Sequence, residues 1–183
     1  MSKDRGFLEL EYRMYGLVPY NISPIQQAIQ YGHALQEYNN AMFEQLYKDK
    51  WQKSKKDDDF IKFQKWANKD KTFIILNGGT TNKQPSITTG EPFGTLDKYA
   101  LQLNEQKIKI ATFNEPDLND ALTAVVFLVD ERVFDKKKYP DFEEKPTSGD
   151  IDGWHEDYLN WVDDIGGDTN VWLREFLSQF RLA

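Results

Sequence analysis

Four polar side chains fall on one short stretch of this sequence: Gln26, Gln27, Gln30 and His33. Helical spacing sets Gln26 and Gln30 one turn apart and makes Gln30 and His33 neighbours. Two amides and an imidazole would then share one patch. An imidazole titrates near neutral pH, so His33 can act as acid, base or hydrogen-bond donor. The glutamines would position a substrate. The start of such a helix also offers unbonded N–H groups to an anion such as phosphate.

Two further segments carry polar groups that chemistry could use. Asn77-Gly78-Gly79-Thr80-Thr81-Asn82 follows the apolar run Thr72-Phe73-Ile74-Ile75-Leu76. A loop at the carboxyl end of a buried strand is where ligands gather in open α/β sheets. No Gly-Lys-Ser/Thr follows, so this is not a Walker loop. It reads equally well as a plain turn. Asn114-Glu115-Pro116-Asp117-Leu118-Asn119-Asp120 forms the second segment. Glu115 or Asp117 could activate a water or pair with His33, although acidic residues also simply close turns.

These groups need elements to hold them. Residues 8–20 alternate in strand fashion. Ser23, Pro24 and Gln26 then supply an N-cap, a first-turn proline and a capping-box partner. The helix runs to about residue 48, with Ile25, Ala28, Ile29, Gly32, Leu35, Met42 and Leu46 as its apolar stripe. Residues 48–59 are a charge run, read as a solvated helix end and linker. Phe60, Phe63 and Trp66 mark a short second helix. Residues 72–76 are a buried strand, and residues 83–93 an irregular loop. Leu96, Tyr99, Ala100 and Leu103 mark a third helix, followed by strands at 107–113 and 122–129. The order β-α-α-β-α-β-β predicts an α/β fold: a mixed four-stranded sheet with helices packed on it. Residues 1–130 would form this domain, 131–153 a charged tether, and 154–183 an amphipathic helical tail rich in aromatic residues.

Composition bounds the function. Hydrophobic residues make up 39% and aromatic ones 14%, enough to build a core. The net charge of −7 argues against a general nucleic-acid coat. With no cysteine and only two histidines, no thiolate or multi-histidine metal site is expected. The first ten residues carry charges too early for a signal peptide. A cytoplasmic protein with no membrane partner and no cofactor is the expectation.

Gln30-Tyr31-Gly32-His33-Ala34, on a first helix after a first strand, resembles the Gln-x-x-His-Ala signature of the archaeal and eukaryotic type of peptidyl-tRNA hydrolase. The strand and helix order resembles that fold too. Thr123-Ala124-Val125-Val126 is similar to the opening of that family's last strand. Gln26 stands where the family has a lysine, and Asn114-Glu115-Pro116-Asp117 replaces its Asp-Ala-Gly. The resemblance spans residues 12–129. It implies catalytic roles for His33, Glu115 and Asp117. Substrate contacts would come from Gln26, Gln27, Gln30, Asn77, Gly78, Gly79, Thr80, Thr81, Asn114 and Thr123. The Asn21-Ile22-Ser23-Pro24-Ile25-Gln26 run is also similar to small bacteriophage proteins, which implies residence in a host cytoplasm.

Three functions follow as expectations. One is a hydrolase of an ester-linked tRNA or nucleotide substrate. The second is a module that binds a nucleotide without turnover. The third is an inhibitor that captures a host protein through its aromatic tail, in the manner of phage counter-defence. A homodimer is a further expected assembly.

Overall fold

The computed structural model describes residues 10–52, 58–81, 94–142 and 151–183. The irregular loop expected at 83–93 lies outside these residues. So do the N-terminal segment 1–9, part of the charge run (53–57) and part of the expected tether (143–150).

The fold is α/β, with a mixed four-stranded sheet. Strand β1 (Tyr12–Val18) leads into the long helix α1 (Pro24–Gln52), α2 (Asp58–Lys65) and a π-helical turn (Trp66–Asp70). Then come β2 (Phe73–Asn77), α3 (Thr95–Glu105), β3 (Ile110–Glu115) and β4 (Ala121–Asp130). Helices α4 (Glu131–Phe134), α5 (Ile151–Asp164) and α6 (Asp168–Ser178) follow. The strand order is β2-β1-β4-β3. β1 and β2 are parallel, and β4 runs antiparallel to both β1 and β3.

Strand alternation divides the core into two layers. Met14, Val18, Ala124 and Val126 face α1 and α2, where they meet Tyr31, Ala34, Tyr38, Met42, Phe60, Phe63 and Trp66. Leu17, Val125, Phe127 and Val129 face the other way, onto Leu96, Ala100 and Leu103 of α3 and Leu173 and Phe176 of α6. Asp70 closes the π-helical turn and accepts hydrogen bonds from the Glu11 and Tyr12 amides, which fixes the entry to β1.

The buried stripe of α1 differs from the expected one. Ile25 and Ile29 are 76% and 50% exposed, and a Cβ added at Gly32 would meet nothing within 4 Å. Met42 is buried as expected, with Leu35 and Leu46 half-buried beside it, and Gln30, Tyr31, Ala34 and Tyr38 face the sheet where Ile25, Ile29 and Gly32 do not. The set Tyr31, Ala34, Tyr38, Met42 is also spaced at helical intervals. Gln30 can join it because both ends of its amide find partners there.

Residues 131–142 differ from a free tether. The buried Arg174 of α6 donates to the Arg132 and Tyr139 carbonyls and, from its third nitrogen, to Asp141 at 2.8 Å. Phe142 packs its ring against Trp154, Tyr158 and Trp161 of α5. The last residues run along the outer side of β2: Asn77 N–H donates to Arg181 O, and Ala183 N–H to Ile75 O. That contact covers part of an edge that would otherwise be open.

Candidate functional site

A bulge between β3 and β4 builds the site. Phe113 pairs with Ala124, but Asn114 pairs with Leu122, so Thr123 is the extra residue. By alternation Thr123 would face α3. The bulge turns it to the α1 side instead, and it brings Leu122, which alternation would put with Ala124 and Val126, into the α3-side core.

There Thr123 Oγ1 donates to Gln30 Oε1 at 2.8 Å. Its alternative acceptor, the Phe113 carbonyl, is more distant at 3.2 Å. A hydroxyl has one proton, so the shorter contact takes it. That choice orients the amide and turns Gln30 Nε2 onto Glu115 Oε2, at 2.5 Å. An acceptor is required at that position, which a carboxyl oxygen of Glu115 provides. Glu115 is half-buried, and its other oxygen faces the Asp117 amide at 3.5 Å.

His33 lies one turn further along α1 and is exposed. Its ring stacks on Phe113 with centroids 4.4 Å apart and planes 21° apart. Phe113 is thus the platform between the imidazole and the Thr123–Gln30–Glu115 chain. Tyr31, beside Gln30, is buried and donates to the Met14 carbonyl at 3.1 Å. Burial pushes its phenol well above the ordinary value, so it stays a neutral donor.

The other expected site residues have local duties. Gln26 Oε1 accepts from the Ser23 amide at 3.0 Å, and Ser23 Oγ accepts from the Gln26 amide at 3.3 Å: the two halves of a capping box. Gln27 Nε2 donates to the Pro19 carbonyl at 2.9 Å and pins the β1–α1 connection. Asn77 Oδ1 accepts from the Gly79 amide, and Thr80 N–H donates to Thr95 Oγ1. Gly79 has φ +88°, and a Cβ there would lie 1.8 Å from Thr95 Oγ1. The glycine lets the loop lie against the start of α3. Gly78 N–H donates to the Val18 carbonyl at 2.7 Å. Thr81 is buried and donates its hydroxyl to the Leu122 carbonyl. Asn114 Nδ2 donates to Asp120 O at 2.8 Å and closes the turn after β3.

Loop and turn nevertheless meet. Asn21, Ile22, Thr81, Asp117, Leu118 and Asn119 line an open groove of about 500 Å³ at the carboxyl ends of β1 and β2. Asn21 holds Thr81 through both main-chain groups, N–H at 3.2 Å and C=O at 3.0 Å. Asn21 and Asn119 were not singled out from sequence. The Asn21-Ile22 turn between strand and capping box is the signal for the first, and the 114–120 turn segment the signal for the second.

Gln30, Thr123, Glu115 and His33 therefore form one cluster, with Asp117 linking it to the groove. Among the described residues, no group of three His, Asp or Glu side chains could hold a metal ion, and no helix is long and apolar enough to cross a membrane. No protein-family model matches the sequence, and no curated protein matches it.

Proposed function

We propose that this chain is a peptidyl-tRNA hydrolase-like protein acting on an ester-linked tRNA or nucleotide ligand at the Gln30–His33–Glu115 cluster. The observation that carries this reading is the buried Gln30 amide, held by Thr123 and anchoring Glu115 beside the exposed imidazole. Buried polar chains of this kind fix the geometry of the groups at their ends.

In the proposed reaction Glu115 takes a proton from a water molecule, whose oxygen attacks the ester carbonyl. The ester C–O bond to the ribose breaks, the proton taken by Glu115 passes through solvent to His33, and His33 delivers it to the departing ribose oxygen. Asp117 and the groove beside it receive the acyl part. The expected setting is the cytoplasm, that of a host if the gene is carried by a phage.

Release of the peptide or amino acid from a peptidyl- or aminoacyl-tRNA mimic tests this. His33→Ala should lower the rate by about 10²-fold or more, the usual scale of a general acid–base contribution. An unchanged rate would sink the mechanism.

A second reading is ligand binding without turnover. Gln26 favours it: this residue occupies the place of the family's lysine and is engaged in the capping box with Ser23. A cation for the tRNA phosphate is therefore missing at that position. Ligand-dependent thermal stabilisation with no product release would select this reading over the first.

A further inference from the structure

The net charge of the chain is −7, yet four cations gather at the end of the sheet away from the Gln30 cluster. The lengths of β3 and β4 account for the space they share. β3 begins at Ile110, opposite Phe127, while β4 continues to Asp130 with β1 alone beside it. Over these last residues of β4 lies a groove of about 370 Å³. Lys62 comes to it from α2, Lys107 and Lys109 from the α3–β3 connection, and Arg132 from α4. Asp59 and Asp130 are its carboxylates, so cations outnumber anions two to one. Ile108, Leu128 and Leu173 supply apolar surface.

A single lysine at the end of α3 would be an ordinary partner for the helix dipole. Four cations from three separate elements around one groove need another reason.

Arg132 is held in place. Its Nε and one terminal nitrogen donate to the two oxygens of Asp130 at 2.9 and 2.8 Å. The other terminal nitrogen makes no hydrogen bond among the described residues. It lies beside Gly166, where an added Cβ would sit 2.7 Å from that nitrogen and 2.6 Å from Cζ. Gly166 keeps φ +91°, and the absent side chain leaves the guanidinium its room.

Lys107 occupies the left-handed position after α3, at φ 58°. Glycine is the usual residue there. A lysine kept at a glycine position breaks a local rule, and such breaks concentrate where function is served. Among the described residues its ammonium has no ion-pair partner. Lys109 is oriented by Gln45, and Lys62 lies 3.8 Å from Asp59.

We infer that this groove binds a phosphate-bearing small molecule, its phosphate taken by Arg132 and Lys107 and its body lying over the apolar surface near Tyr12. The planar guanidinium suits two phosphate oxygens at once, and lysine adds a mobile point charge. The volume falls in the usual range for small-ligand sites, about 300–1,000 Å³. A nucleic-acid strand fits less well, because the acidic chain as a whole repels a polyanion. The site stands apart from the Gln30 cluster and does not depend on the activity proposed for it.

Calorimetric titration of the full chain with AMP, adenosine, inorganic phosphate and a short single-stranded RNA tests the inference. Saturable AMP binding is expected, weakened at least tenfold by Lys107→Gln. The thermal midpoint of that variant without ligand should stay that of the wild type, because the Lys107 side chain has no described partner to lose. Inorganic phosphate competing as well as AMP would support a site for the anion itself. Weaker competition would support a phosphate ester. Four results would overturn the inference: adenosine binding as tightly as AMP, no binding of either phosphate, RNA binding more tightly than AMP, or AMP affinity unchanged in Lys107→Gln but lost in His33→Ala.

Discussion

Thr123 sits under its partner Gln30 and, among the described residues, is the one side-chain donor to its buried amide oxygen. Removing that hydroxyl without changing shape isolates its contribution. Thr123→Val should cost about 1–3 kcal/mol, the usual range when a buried polar atom loses its partner. Thr123→Ser keeps the donor and should recover most of that loss. Urea denaturation of the two variants checks this. Equal stabilities would mean that the Thr123 hydroxyl serves the Phe113 carbonyl and leaves Gln30 to itself. The same chain of contacts explains why the role of Gln30 escapes local inspection. Its partners lie 85 and 93 residues away in sequence. A glutamine on a helix reads as solvated unless something distant satisfies it, so the expected stripe left out Gln30 and ran through Ile25 and Ile29, which are exposed, before it met the core at Met42. His33 was legible as an exposed polar group, while its stacking on Phe113 depends on a bulge with no local signature.

Elements were legible where their signals are local. Ser23, Pro24 and Gln26 mark the start of α1, and the capping box forms as that pattern implies. The apolar run of β4 marks a buried strand, that of β2 marks a strand which lies at the sheet edge with Phe73 exposed, and Gly166-Gly167 separates α5 from α6. Less legible were the segments whose form depends on a distant partner. Residues 131–142 carry enough charge to read as a tether, but Arg174 gathers two of their carbonyls and the Asp141 carboxylate from 33 to 42 residues away. The basic groove is harder still, because its cations come from three elements and no two of them make a motif. The cap offers a test at this scale. α1 has 29 residues and extends about 43 Å at 1.5 Å per residue, so it overruns the sheet, and its start is the end fastened to the site. Ser23→Ala should destabilise the protein by about 1 kcal/mol. It should also speed amide exchange in the first turn of α1 before it affects the turns around Tyr38. Uniform acceleration along the helix would show that the cap does not hold the site end locally.

At the scale of the whole molecule, α6 closes the second face of the sheet. Leu173 and Phe176 lie in the same apolar layer as Val125, Phe127 and Val129. The polar side of that closure runs through Asp141, which meets Lys136 at 2.6 Å and Arg174 at 2.8 Å. Lys136 first, and then Arg174, hold the Asp141 carboxyl below its ordinary range. The sign of the pH effect follows. A carboxyl whose folded pKa is depressed contributes its stability above the unfolded value, about 3.9, and loses it as pH falls through the folded value. Asp141 is 54% exposed, so solvent screens the pair and the effect is modest. The partner in α6 is the opposite case: the Arg174 side chain is 5% exposed and keeps its carbonyl acceptors whatever the charge on Asp141. Acid should therefore weaken the Asp141 contact alone, while Arg174 still holds the Arg132 and Tyr139 carbonyls to α6. Thermal unfolding of the wild type and Asp141→Asn between pH 7 and pH 2 reads this directly. The wild type should be the more stable at pH 7, and the gap should close below about pH 4 as its own carboxyl is neutralised. A gap of constant size across that range would show that Asp141 acts through shape and hydrogen bonding, and that its charge does not fasten the helix to the rest of the molecule.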